Sequence, residues 1–240
     1  LNVNSNAISA VTINSGGILY GDNTGKILSI NGTGGNDVVN NGTLDFSASR
    51  YAILRNSSTS AMNITQTVGV ASVWKFSSID FNNRGATLTQ MTQIEFNGNA
   101  TPFVNTSAAI TNNSAPDCTW LFSGSVAQTL TTSNIAALAG STTRVFSSTT
   151  SLATINVTNT SATGLTIQAN LTGGSSITGS LNVAAGATLT LDTSTTDMVN
   201  ANGGYSFATT STVRYARVSN TQNVRAGLTY GNLEITNGST

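Results

Sequence analysis

The stretch 164–191, GLTIQANLTGGSSITGSLNVAAGATLTL, constrains the fold of this chain more than any other feature. A short run alternates apolar, polar, apolar, as in Leu165-Thr166-Ile167 and again in Leu181-Asn182-Val183. A few small, turn-prone residues follow each run, and then the next run begins. Period-two alternation places the apolar pair on one face of a strand and the polar residue on the other. Runs this short do not hold a hairpin by themselves. Stacked as successive rungs, they bury one continuous apolar column.

The same element recurs along the 240 residues. Val11-Thr12-Ile13-Asn14-Ser15-Gly16-Gly17-Ile18-Leu19 aligns without gaps on Leu181-Asn182-Val183-Ala184-Ala185-Gly186-Ala187-Thr188-Leu189. Asn31-Gly32 and Asn41-Gly42 mark tight turns, because Asn and Gly tolerate positive φ. Helical signals are confined to Asn134-Ile135-Ala136-Ala137-Leu138, where Ser133 is placed to cap and Gly140 to terminate; that segment reads equally as a loop. The expected fold is therefore all-β, a right-handed parallel β-helix or β-solenoid. Tandem β-sandwich repeats are the alternative, but sandwich strands run to five or six residues joined by tight hairpins. The runs here are shorter, and two-residue hairpin loops between long alternating runs are missing. Pro102 and Pro116 flank a loop-rich stretch. The expected organisation is N-terminal coils over 1–97, an insertion or junction over 98–119, and C-terminal repeat coils over 120–240 that continue into a next repeat. At roughly 20–25 residues per coil the chain makes about ten coils and spans on the order of 50 Å.

Charge narrows the functional classes. Only 8% of residues are charged, nine basic and nine acidic, against about 25% in an average soluble protein. That balance provides no electrostatic footprint for nucleic acid or an anionic membrane. Thr, Ser, Asn and Gly fill the polar positions, which suits an extracellular protein with side-chain ladders along stacked strands. There is no His, hence neither the commonest general base nor the commonest transition-metal ligand. The single cysteine, Cys118, excludes an intrachain disulfide and reads as a small buried apolar residue. No run of about 18 apolar residues exists to span a membrane, and no signal peptide is visible at Leu1. Both termini read as cut from a longer polypeptide.

A second pattern joins an aromatic-ended run to a Gln and an apolar residue. Trp120-Leu121-Phe122 leads to Gln128-Thr129-Leu130, and Val213-Arg214-Tyr215 leads to Gln222-Asn223-Val224. Ile94-Glu95-Phe96 leading to Pro102-Phe103-Val104 is a worn third copy. Together with Leu228-Thr229-Tyr230-Gly231-Asn232-Leu233-Glu234-Ile235-Thr236-Asn237-Gly238, with 180–191 (SLNVAAGATLTL) and with Asn40-Asn41-Gly42-Thr43-Leu44-Asp45-Phe46, it resembles the repeat regions of very long, secreted surface adhesins of Bacteroidota-type bacteria. The resemblance covers most of 120–240 well and 1–50 moderately; residues 51–119 match in style only. It implies extracellular export, often by the type IX route, and a role in adhesion, surface filaments or gliding. The sorting domain that ends such proteins is not among these residues, which fits a segment of a longer chain.

Parallel β-helices also carry glycan-cleaving sites, which take two carboxylates about 5–10 Å apart. Asp45, Asp80, Glu95 and Glu234 each occupy the middle of an apolar-x-apolar run. Asp80 and Glu95 lie 15 residues apart, close to one short rung, and are expected to stack at about 5 Å. They are the acids to test if the chain is an enzyme. The competing reading makes them solvated surface groups balanced by Lys75 and Arg84, and on that reading the catalytic set is empty. No cofactor is expected beyond a Ca2+ held by loop carboxylates such as Asp22 or Asp37. Trp74, Phe76, Phe81 and Phe96 fall at core positions of their runs, whereas Tyr20, Tyr205, Tyr215 and Tyr230 suit a boundary with solvent. Thr-rich runs such as Thr188-Leu189-Thr190 suit outward hydroxyl ladders. The expected role is a structural and adhesive rod, stacking end to end with neighbouring repeats or copies and meeting glycans or other surfaces. The alternative is a β-helical module that binds or cleaves carbohydrate.

Overall fold

The computed structural model describes residues 9–21, 27–32, 37–48, 51–56, 62–67, 70–80, 86–89, 93–98, 100–104, 110–112, 119–130, 154–168, 179–192, 201, 203–217 and 222–236. Every secondary-structure element among them is a β-strand. The candidate helical turn at 134–138, Phe81, Arg84, Asp22 and Cys118 lie outside these residues.

The order in which the chain visits its sheets is fixed. β1 (Val11–Ile13), β2 (Ile18–Tyr20) and β3 (Ile27–Gly32) enter three different sheets. β4 (Val38–Asn40) then pairs with β1, β5 (Thr43–Phe46) with β2, and β6 (Tyr51–Asn56) with β3. The cycle repeats with β7 (Met62–Thr65), β8 (Val73–Phe76) and β9 (Ile79–Asp80). It repeats again with β10 (Ala86–Thr89), β11 (Gln93–Asn97) and β12 (Phe103–Val104). Among the described residues, β13 (Ile110–Asn112) is the last strand of the first sheet, and β12 the last of the third. Beyond them the described strands alternate between two sheets. β14 (Thr119–Ser123), β16 (Thr154–Val157), β18 (Leu181–Val183) and β20 (Tyr205–Phe207) extend the second sheet to eight strands. β15 (Gln128–Leu130), β17 (Leu165–Ile167), β19 (Thr188–Leu191), β21 (Thr212–Tyr215) and β22 (Asn232–Ile235) form a fourth. The described residues of 98–119 thus contribute two strands in the cycle, and the described strands after them belong to two sheets. Each of the ladders is parallel. Parallel neighbours need a crossover between them, and here the strands of the other sheets supply it.

The register turns the alternating triplets into columns. Along the eight-stranded sheet, Phe46, Phe76, Phe96, Phe122, Val157, Val183 and Phe207 are successive partners. Beside them run Ile94, Trp120, Ile155, Leu181 and Tyr205. In the fourth sheet Leu165, Leu189, Val213 and Leu233 form one column, and Ile167, Leu191, Tyr215 and Ile235 the other. The Phe96 ring stacks on Phe122 at 5.5 Å between centroids and on Trp120 at 6.2 Å. Trp74, Phe76 and Phe96 are buried as their alternation requires.

The two segments that align in sequence also match in structure. Val11–Ile13 and Leu181–Val183 are each followed by a four-residue turn and another strand, with Gly16 and Gly186 at φ 75° and 73° in the same place. Left-handed backbone of this kind costs an L side chain about 1–2 kcal/mol, which is why glycine marks this corner. The unit is reused at different corners: the first joins the five- and eight-stranded sheets, the second joins the eight-stranded sheet to the fourth.

Two side-chain expectations are corrected. Tyr215 is a core residue, 1% exposed, because it continues the column of Ile167 and Leu191. Thr188 and Thr190 are buried, and Thr190 Oγ1 donates to the Thr163 carbonyl at 2.7 Å. The turn before β17 therefore lies over what alternation alone makes an open hydroxyl ladder.

Candidate functional site

The outward residues of the eight-stranded sheet form one column of partners: Tyr20, Asp45, Lys75, Glu95, Leu121, Asn156, Asn182 and Ser206. Its first half carries charge and its second half is neutral. Lys75 Nζ stands 3.7 Å from Glu95 Oε1. The Ser123 hydroxyl donates to the same oxygen at 2.5 Å, and Asn97 Nδ2 donates to the Ser123 hydroxyl at 3.0 Å. Glu95 is thus held by three neighbours on its own face, each supplied by this strand or by an adjacent strand of the same sheet.

Asp80 is not one of them. It belongs to β9 in the four-stranded sheet, where its partners in register are Ile53 and Val104. The expected stacking of Asp80 on Glu95 does not occur. Fifteen residues are less than one circuit of the sheets, and the residues that flank Glu95 are Lys75 and Leu121, 20 and 26 positions away. Glu234 instead pairs with Arg214 Nε at 2.6 Å on the outer face of the fourth sheet, and Arg214 also donates to the Ala162 carbonyl.

Beside the neutral half of the column runs a groove of about 310 Å³, lined by Asn156, Asn182, Ser206, Thr158, Ala184 and Ala208 among others. Asn182 Nδ2 donates to Asn156 Oδ1 at 2.8 Å, so the amides of successive rungs form a ladder. A second cleft, of about 380 Å³, lies between β20 and Gly227–Thr229. Its aromatic rings are not open platforms. Phe207 stacks on Tyr230 at 5.5 Å, and the Arg225 guanidinium sits 5.1 Å above the Tyr205 ring. The Tyr230 hydroxyl donates to the Arg225 carbonyl and lies 3.0 Å from that of Tyr215. Burial, and then the Tyr215 hydroxyl, push the Tyr230 phenol well above its usual range.

Alternation does not reveal the buried polar residues that fix the turns. Asn159, fully buried, donates to the Val126 carbonyl at 2.7 Å and to Gln128 Oε1 at 2.9 Å, while its Oδ1 accepts from the Ser161 N–H. Asn40 ties the Val73 carbonyl to the Gly42 N–H in the same way. The Gln motif, by contrast, was legible, and it has a shared purpose. Gln128 Nε2 donates to the Phe96 carbonyl, and Phe96 is the register partner of Phe122. Gln222 Nε2 donates to the Leu191 carbonyl, and Leu191 is the partner of Tyr215. In both copies the Gln bonds back to the rung beneath the aromatic that precedes it. Pro102, at the corresponding place in the worn copy, has no donor to offer.

Asp37 is buried, and among the described residues no group of three or more His, Cys, Asp or Glu side chains is placed to hold a metal ion. Among the described residues no helix is long and apolar enough to cross a membrane. Along the groove, amides and hydroxyls of successive strands are placed for hydrogen bonding. No protein-family model, curated protein or solved structure matches this chain.

Proposed function

We propose that the sheets close into a right-handed parallel β-helix, and that this helix is a stiff structural segment of an extracellular surface protein or filament. The observation that carries the reading is the cyclic strand order, with core columns that run unbroken from rung to rung. A stack of this kind resists bending because each rung is bonded to the next along its backbone. Its low charge, its polar face of amides and hydroxyls, and the resemblance of 180–191 and 228–238 to adhesin repeats support an adhesive, non-catalytic role. In this role the rod stacks end to end with neighbouring repeats or copies and meets glycans or other surfaces with its weakly charged flank. The neutral groove beside Asn156 and Asn182 favours a carbohydrate-binding form of the alternative; the cleaving form loses the pair Asp80 and Glu95, which fall on different sheets.

The test is made on cells. Antibodies against the 240-residue chain are expected to label intact source cells and to reduce their attachment to surfaces. Labelling only after lysis overturns the surface assignment. Labelling with no effect on attachment overturns the adhesive one.

A further inference from the structure

The groove beside the neutral half of the outward column lies on a flank of the eight-stranded sheet. Asn156 stands on β16 and Asn182 on β18, and these strands are enclosed by β14 on one side and β20 on the other. Two rows of the outer face shape the groove. One row is Asn156, Asn182 and Ser206, successive partners in register. The other is Thr158, Ala184 and Ala208, two positions further along the chain in each case. Period-two alternation keeps both rows on one face. The small side chains of the second row leave about 310 Å³ open beside the first. The amide ladder is not closed. Asn182 Nδ2 donates to Asn156 Oδ1, and among the described residues no hydrogen bond uses Asn156 Nδ2, Asn182 Oδ1 or the Ser206 hydroxyl. Donors, an acceptor and a hydroxyl therefore line one wall over two rungs, about 10 Å at one strand spacing each.

We propose that this groove binds an uncharged, extended glycan chain laid along the stack, across β16, β18 and β20. The proposal rests on the reading above that this protein meets glycans with its weakly charged flank, and it names the residues and the class of sugar. Among the described residues no charged side chain lines the groove, so it offers none of the cations that recognise a phosphate backbone or a carboxylate. The Glu95 carboxylate stands two rungs from Asn156 in the same column, and an acidic chain that follows the column meets it. A peptide strand adds to an open sheet edge, whereas β16 and β18 are paired on both sides. A neutral glycan fits what the groove presents. Its hydroxyls donate and accept at once, so they match an amide N–H on one rung and an amide oxygen on the next. Its C–H faces suit Ala184 and Ala208, in the way that ligand sites join a few placed polar groups to an apolar lining. Each rung advances about 4.8 Å along the stack, close to the length of one sugar ring in an extended chain.

Affinity electrophoresis of the 240-residue chain tests this, in native gels cast with hydroxyethylcellulose, galactomannan or polygalacturonate. The chain is expected to be retarded by at least one of the two neutral polysaccharides and to pass the acidic one like a non-binding reference protein. Asn156→Ala and Asn182→Ala each remove one or two hydrogen bonds to the sugar, and each is expected to weaken retention about five- to tenfold. Both side chains are outward and half-buried, so the fold persists, which circular dichroism checks. Ala184→Arg fills the groove from its second row and is expected to abolish retention while leaving the amides in place. Tyr20→Ala, far along the same column, is expected to leave retention unchanged. Retention that survives all three groove variants, or that is lost in Tyr20→Ala, overturns the site. Retention by polygalacturonate overturns the sugar class. Retention by none of the three polysaccharides overturns the proposal outright. The cell assay above judges the adhesive reading separately: attachment blocked by antibody, with no glycan retained, is the failure of this proposal alone.

Discussion

Asn159 shows what one buried amide does for a corner of this fold. It satisfies carbonyls of the turn that follows β14 and the side chain of Gln128, and it accepts from the turn that follows β16. Asn159→Ala leaves the buried Gln128 amide oxygen without its donor, and a loss of about 1–3 kcal/mol is expected in denaturant unfolding. Asn159→Asp is expected to cost more, since its oxygens would face the acceptors on Val126 and Gln128. Tyr230 makes a prediction in pH. Burial raises its phenol above the usual value near 10, so the folded state favours the neutral form. That stability is complete below about pH 10 and is lost as pH rises beyond it. The melting temperature should therefore fall on the alkaline side, and Tyr230→Phe should flatten that fall. An unchanged alkaline slope in Tyr230→Phe contradicts this assignment. Asn159 does not announce itself in the sequence; Tyr230 reads there as a boundary residue and is half-buried, but its partners do not show. Asn159 sits in one of many Asn-Thr-Ser stretches, and Tyr230 depends on Tyr215 and Arg225 across a loop.

At the scale of the element, the triplets were legible because their alternation is local. Leu165-Thr166-Ile167 and Leu181-Asn182-Val183 are strands with both ends buried and the middle residue half-buried, as their pattern requires. What alternation does not supply is the covering of an outer face. Thr188 and Thr190 alternate like any surface pair, yet a turn from the preceding circuit lies across them. Nor does it supply the register. The spacing of Asp80 and Glu95 fits a short rung, but the circuits here take 20 residues or more, and the two acids fall on different sheets. Position within a column should decide the cost of truncation. Phe96 is enclosed by Phe76, Phe122 and Trp120, so Phe96→Ala is expected to destabilise by about 3–5 kcal/mol. Phe207 ends the same column and is only half-buried. Phe207→Ala should cost distinctly less, and equal losses in chemical denaturation would contradict the column.

Across the whole molecule, the proposed β-helix stacks its successive circuits along one axis with one strand spacing each. The repeat of Val11–Leu19 in Leu181–Leu189 made a stack readable from the sequence. Among the described residues, the change from three sheets to two near β13 was not readable, because pairing between strands 20 or more residues apart is not a local pattern. Spin labels test the stack directly. Asp45, Asn156 and Ser206 lie on one outward column, four and six rungs from the first to the others. Cysteines placed there in pairs, with Cys118 replaced, report the distances by pulsed electron resonance. At about 4.8 Å per rung, the account predicts backbone separations of about 19 Å for 45–156 and about 29 Å for 45–206. A 45–206 distance no longer than the 45–156 distance would contradict it.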